Sequence, residues 1–235
     1  MNKRIVVTGG TRGIGKAILE RFAAENFDLI TCARNESELN DLKASLTSRF
    51  PDCKTSVNVV DVSQKAEVER FCTAVLKEHG PVDVLVNNAG FFIPGEITSE
   101  AEGSLESMIA ANLYSAYYMT RGLVGEMRKA GRGHIFNICS IASIQAYPNG
   151  GSYAISKFAL VGFSKCLREE LKTTGIRVTS VLPGATLTSS WEGSGLPDER
   201  FMSVEDVADS VLAAWKLSPR SVVEEILIRP QLGDI

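Results

Sequence analysis

The chain has 235 residues, 44% of them hydrophobic, and a formal net charge of -3. That length and apolar content suffice for one large domain over residues 1–235 with a full core, while the slight acidity provides no basic field to draw nucleic acid or an anionic membrane. No apolar run approaches the ~20 residues of a membrane span and the first residues enter a strand pattern, so the expectation is a cytoplasmic protein acting on a small molecule.

Lys3 to Thr8 carries a buried-strand pattern, and Gly9-Gly-Thr-Arg-Gly-Ile-Gly15 then leads into an amphipathic helical stretch from Lys16 to Asn26. Glycines in such a turn let backbone approach a ligand closely. The helix N-terminus that follows offers unpaired N–H groups and a positive dipole end to a pyrophosphate. The spacing Thr8-Gly9-x-x-x-Gly13-x-Gly15 meets the general G-x-G-x-x-G fingerprint only in part. Phe27 to Ala33 reads as the second strand, whose end meets the adenosine ribose in dinucleotide folds. It delivers Arg34 and no carboxylate. Arg34, with Arg12 in the glycine turn, suits a 2′-phosphate and favours NADP(H) over NAD(H), although Glu36 and Glu38 stand nearby.

Glu36 to Arg49 has helical spacing, and Lys54 to Val60 reads as the third strand, closed by Asp61-Val62 with a carboxylate suited to an adenine amino group. Gln64 to His79 is helical again, and Pro81 to Asn87 is a fourth strand ending in the polar turn Asn87-Asn88-Ala89-Gly90. This alternation predicts a parallel sheet with helices on both faces. Glu100 to Lys129 forms one long helical pattern with Asn112 near its middle. An asparagine on an apolar helix face is either satisfied in the core or functional.

His134 to Cys139 is the fifth strand, and Ser140 stands at its carboxyl end, where ligands bind in open α/β sheets. The next helix runs from about residue 152 to Thr174 and carries Tyr153 and Lys157. At that spacing the two side chains share one helical face, so an ammonium near the phenol is expected to pull its pKa below the ordinary ~10 and fit it for acid–base work. Such pairs also occur on solvated helices. Ile176 to Leu182 is a sixth strand, ended by Pro183-Gly184; residues 186–201 are polar and glycine-rich, with Trp191 as an exposed anchor, and suit a mobile flap. Ser203 to Leu217 is the last helix and Glu225 to Arg229 the seventh strand. Cys32, Cys53, Cys72, Cys139 and Cys166 are scattered without ligand spacing, as suits reduced thiols and no metal site.

In their order and spacing, TGGTRGIG from Thr8, NNAG from Asn87, Asn112, Ser140, YAISK from Tyr153 and Pro183-Gly184 with Thr188 make the chain resemble the compact, single-domain branch of the short-chain dehydrogenase/reductase family. The resemblance implies a Rossmann-type, doubly wound α/β fold of about seven parallel strands and a catalytic tetrad of Asn112, Ser140, Tyr153 and Lys157. Tyr153 would protonate a substrate carbonyl oxygen that Ser140 also hydrogen-bonds. Lys157 would lower the tyrosine pKa and bind the nicotinamide ribose, and Asn112 would position a water. It further implies an NADP(H) site on Gly9, Thr11, Arg12, Gly13, Ile14, Gly15, Arg34, Asp61, Val62, Asn88, Ala89, Gly90, Tyr153, Lys157, Pro183, Gly184, Thr186 and Thr188. By the same resemblance the protein is a homodimer or homotetramer, similar to carbonyl reductases, sepiapterin reductases or 3-oxoacyl-carrier-protein reductases. The short stretch after the seventh strand implies a rather open site. Phe91, Gln145, Tyr147 and Trp191 are candidate substrate walls. An NAD-dependent alcohol dehydrogenase and a non-catalytic NADP(H) sensor are the other readings.

Overall fold

In the computed structural model, which describes residues 2–191 and 195–234, seven parallel strands form one sheet in the order β3-β2-β1-β4-β5-β6-β7. The strands are β1 (Arg4–Thr8), β2 (Asp28–Ala33), β3 (Thr55–Val59), β4 (Val84–Asn87), β5 (Gly133–Ile138), β6 (Ile176–Pro183) and β7 (Glu225–Ile228). The connecting helices are α1 (Gly13–Ala23), α2 (Glu36–Arg49), α3 (Lys65–His79), α4 (Ser104–Ile109), α5 (Ser115–Ala130), α6 (Gly151–Leu171) and α7 (Val204–Lys216). Successive strand side chains alternate between faces, and the core divides accordingly. Ile5, Val7, Val84, Val86 and Phe136 pack with α1, α2 and α7, whereas Val6, Leu85 and Ile135 pack with α3, α5 and α6.

β1 lies between β2 and β4, so the strand order reverses there and a crevice opens at the carboxyl ends of β1 and β4. The polar turn after β4 spans it. The Asn88 amide donates to the Thr8 and Gly9 carbonyls at 2.9 and 3.0 Å, and Thr8 Oγ1 accepts the backbone N–H groups of Asn88 and Ala89.

Two stretches depart from the expected elements. Helix α1 begins at Gly13, inside the glycine turn, because Gly13 takes a left-handed φ of 55° that swings the chain straight into the helix; the left-handed Asn26 lies beyond its end. The single helix expected over 100–129 starts at Ser104 and contains a π-helical turn, Ala110–Tyr114, between α4 and α5. A single π turn inside a longer helix carries no sequence signature of its own. Among the described residues no helix is long and apolar enough to cross a membrane.

Candidate active site

A cleft of about 1740 Å³ runs along the carboxyl ends of the strands. It exceeds the ~300–1,000 Å³ of an ordinary small-molecule pocket, which leaves room for two ligands side by side. Of the residues expected to bind cofactor or do chemistry, all line this cleft except Gly15 and Asn112.

Gly15 is excluded by packing. A Cβ there would lie 2.4 Å from the Gly9 carbonyl oxygen and 2.5 Å from the Asn88 amide nitrogen, so its missing side chain lets α1 close on the β1 and β4 turns. It shapes the cleft from behind.

At one end of the cleft, Gly9 takes φ 68°, and α1 begins without any side-chain cap on its first N–H groups. Arg12, its N-cap residue, is extended and exposed, and there is no acidic residue in the first turn. Free N–H donors and a positive helix end facing a cleft suit a pyrophosphate. Arg34, at the end of β2, is exposed, and neither arginine side chain has an ion-pair or hydrogen-bond partner among the described residues. The nearby Glu38 carboxylate accepts instead from Asn35, which caps α2. Asp61 accepts from the Ser63 backbone and hydroxyl at 2.9 and 2.7 Å, so one of its oxygens is committed within the protein. These residues fit a nicotinamide dinucleotide bearing a 2′-phosphate.

At the other end, Ser140 follows β5 and caps the short turn Ile141–Ser143. Its Oγ accepts the Ala142 N–H at 3.1 Å, and Ser143 Oγ accepts the Ser140 N–H at 3.1 Å. The Ser140 side chain is thereby fixed beside the Tyr153 phenol, where it favours the ionised form. Lys157, only 5% exposed, donates from Nζ to the Ile138 carbonyl at 2.8 Å and lies 5.7 Å from the centre of the Tyr153 ring. Burial lowers its pKa from 10.5 to about 8.

The Tyr153 phenol behaves differently from the expectation. Burial pushes its pKa up, the Ser140 hydrogen bond opposes this, and the nearby Cys139 thiol adds to the rise. The ammonium is committed to a carbonyl and sits over the ring, so desolvation wins over the attraction inferred from helical spacing. The rise keeps the phenol protonated but makes it a weaker acid, so its proton leaves only as negative charge develops on an acceptor.

Asn112, 1% exposed, sits in the π-helical turn behind the cleft wall. Its Oδ1 accepts the Phe91 N–H at 2.9 Å, and its Nδ2 donates to the Phe91 carbonyl at 3.1 Å and to Ser156 Oγ at 2.9 Å. Ser156 in turn donates to the Tyr153 carbonyl at 2.7 Å. Asn112 is therefore a strut between the loop after β4 and helix α6, with both amide hydrogens committed to protein. A Cβ on Gly90 would meet Asn112 Oδ1 at 2.7 Å and Lys157 Nζ at 3.7 Å, which explains the glycine between them.

Phe91, Gln145, Tyr147 and Trp191 all line this end. Trp191 is half-buried rather than exposed, its ring 5.2 Å from that of Phe201. Glu192, Gly193 and Ser194 of the expected flap lie outside the described residues. Asp234 reaches the cleft rim, its backbone carbonyl accepting from Arg200 and its carboxylate paired to Arg229 at 3.2 Å. Sequence reasoning missed Phe92, Pro94, Ile141, Glu106 and Ser107, which complete the wall. The Phe91-Phe92-Ile93-Pro94 run directly after the Asn88 turn was the available signal.

A family model described as short chain dehydrogenase matches residues 3–196. The sepiapterin reductase of Chlorobaculum tepidum is 32% identical over 100% of this chain and 99% of its own. Among solved structures, an alcohol dehydrogenase from the archaeon Thermococcus sibiricus complexed with 5-hydroxy-NADP superposes with a TM-score of 0.90 at 27% identity, covering 98% of this chain and 97% of that one. L-sorbose reductase from Gluconobacter frateurii, complexed with NADPH and L-sorbose, gives 0.89 at 29% identity over 97% and 95%.

Proposed function

Since the chain belongs to the short-chain dehydrogenase/reductase family of oxidoreductases, we propose that it is an NADPH-dependent reductase that converts a ketone or aldehyde to an alcohol. The observation that carries this reading is the placement of Tyr153 and Ser140 side by side in the cleft wall, with Tyr153 one helical turn from buried Lys157. The uncapped start of α1 and the backbone of Gly9 and Gly13 hold the pyrophosphate, Arg12 and Arg34 the 2′-phosphate, and Lys157 the nicotinamide ribose. The chemistry such a cofactor supplies when bound is hydride for the carbonyl carbon.

The chain's own residues manage the oxygen. Tyr153 gives its proton to the carbonyl oxygen as negative charge builds there, and the fixed Ser140 hydroxyl donates to the same atom. A preplaced donor at a developing oxyanion is worth ~3 kcal/mol, because it pays no reorganisation at the moment of reaction. The Lys157 ammonium stabilises the tyrosinate left behind. Asn112 is a positioning residue that holds the Phe91 loop and α6 in register.

The experiment is to follow NADPH and NADH oxidation against a panel of aldehydes and ketones for the wild type and Tyr153→Phe. The wild type should turn over with NADPH in preference to NADH. The variant should lose roughly 10³-fold or more in kcat while binding NADPH with nearly the same Kd. Wild-type turnover by the variant sinks the mechanism, and a preference for NADH sinks the assignment of the arginines.

A further inference from the structure

Resting on the reductase reading, we propose that the substrate is an uncharged carbonyl compound with a flat aromatic group beside the C=O, and that oxo-acids, sugar phosphates and thioesters of phosphate-bearing carriers are excluded. The catalytic end of the cleft is walled by Phe91, Phe92, Pro94, Ile141, Tyr147 and Trp191. Phe92 sets its ring edge-to-face against Tyr153, centroids 4.9 Å apart, so an aromatic surface adjoins the proton donor itself. The loop carrying Phe91 and Phe92 is held in place: the Gly95 N–H donates to the Asn149 carbonyl at 3.0 Å, and Asn112 clamps Phe91 from behind. Both phenylalanines line the cleft and remain more than a third exposed, so their apolar surface is available to a ligand.

The charges at this end are equally informative. The only cations lining the cleft, among the described residues, are Arg12, Arg34 and Lys157, and Glu192-Gly193-Ser194 contains none. Arg12 and Arg34 belong to the turns after β1 and β2; β2 lies three strand spacings from β5, on the order of 14 Å. Lys157 is buried against the Ile138 carbonyl. Among the described residues, therefore, no unpaired lysine or arginine lines the catalytic end, and Arg200 and Arg229 at the rim are both engaged by Asp234. Glu106, which lines the same end through α4, has no ion-pair or hydrogen-bond partner among the described residues and adds a negative potential. An anion entering this end, where Lys157 is already bound to the Ile138 carbonyl and the aromatic wall offers no cation, loses hydration without a compensating partner, while a flat apolar group gains burial.

The test compares benzaldehyde with 4-carboxybenzaldehyde, which present the same carbonyl and differ by one charge at the far edge of the ring. With the full-length protein and NADPH, kcat/KM should favour benzaldehyde by at least about tenfold, and Glu106→Lys should raise the value for 4-carboxybenzaldehyde by about tenfold. Phe92→Ala should raise KM for benzaldehyde several-fold, with kcat less affected. Equal or better turnover of the carboxylate overturns the exclusion of anions while carbonyl reduction stands. Better turnover of glyceraldehyde than of benzaldehyde likewise overturns the aromatic assignment. A Glu106→Lys protein with an unchanged ratio removes Glu106 from the specificity. Silence on every probe, with NADPH still bound, defeats the reductase reading and this inference together.

Discussion

The two ends of the cleft solve opposite electrostatic problems. Around Gly9, Arg12 and Arg34 the charges stand in water and the glycine backbone does the close contact, so a cation there costs nothing to keep and acts at modest, screened strength. Around Ser140, Tyr153 and Lys157 the groups are largely withdrawn from water, and each is held by a partner. Burial costs Lys157 part of its proton affinity and raises that of Tyr153, but a donor acting in such surroundings is stronger. On the proposed reading, residues that hold a permanently charged ligand can stay solvated, whereas residues that meet charge only during reaction gain from burial.

A change at the buried end should therefore cost far more than one at the solvated end. Ser140→Ala removes a preplaced donor and should lower kcat by about 10²–10³-fold. Because it also deletes the cap of the following turn, circular dichroism and NADPH titration should accompany the kinetics; a tenfold loss or less would mean that Ser140 only shapes the turn. Arg34→Ala should reduce kcat/KM with NADPH by about tenfold and leave NADH nearly unaffected, and the NADPH advantage of the wild type should shrink at high ionic strength. Equal losses with both cofactors would break the 2′-phosphate assignment.

The smallest effect is in the pH profile. Lys157 keeps its proton below about 8, so kcat at saturating NADPH should be flat below that pH and fall by about half as pH reaches it. The stability contribution runs the other way. Folding lowers this pKa from 10.5 to about 8, so the unfolded chain holds the proton more tightly and burial of the charge costs stability below pH 8. That cost is relieved as pH rises from about 8 toward 10.5. Activity loss without a parallel drop in Tm across this window is the expected signature; a profile flat to pH 10 would detach Lys157 from the chemistry.

Local sequence determined a good deal. The apolar runs and intervening periodic stretches marked all seven strands; for β1, β2, β4, β5 and β6 this is because a strand buried on both faces must be apolar almost throughout, whereas the edge strands β3 and β7 are only partly covered. The glycine turn, the Asn88 turn, Ser140 and the Tyr153–Lys157 pair were legible because each is a short motif whose chemistry depends on spacing along a few residues. Tertiary structure decided what depends on distant neighbours. It turned Gly15 into a packing position through the Gly9 carbonyl and Asn88. It turned Asn112 into a strut through Phe91 and Ser156, 21 and 44 residues away along the chain. It brought Phe92 of the loop after β4 onto the ring of Tyr153 in α6. It reversed the direction expected for the Tyr153 pKa, since helical spacing discloses that a cation is near but not that the pair is desolvated or that the cation is already bound to a carbonyl. Spacing is a property of the chain, whereas burial and partnership belong to the assembled sheet and helices.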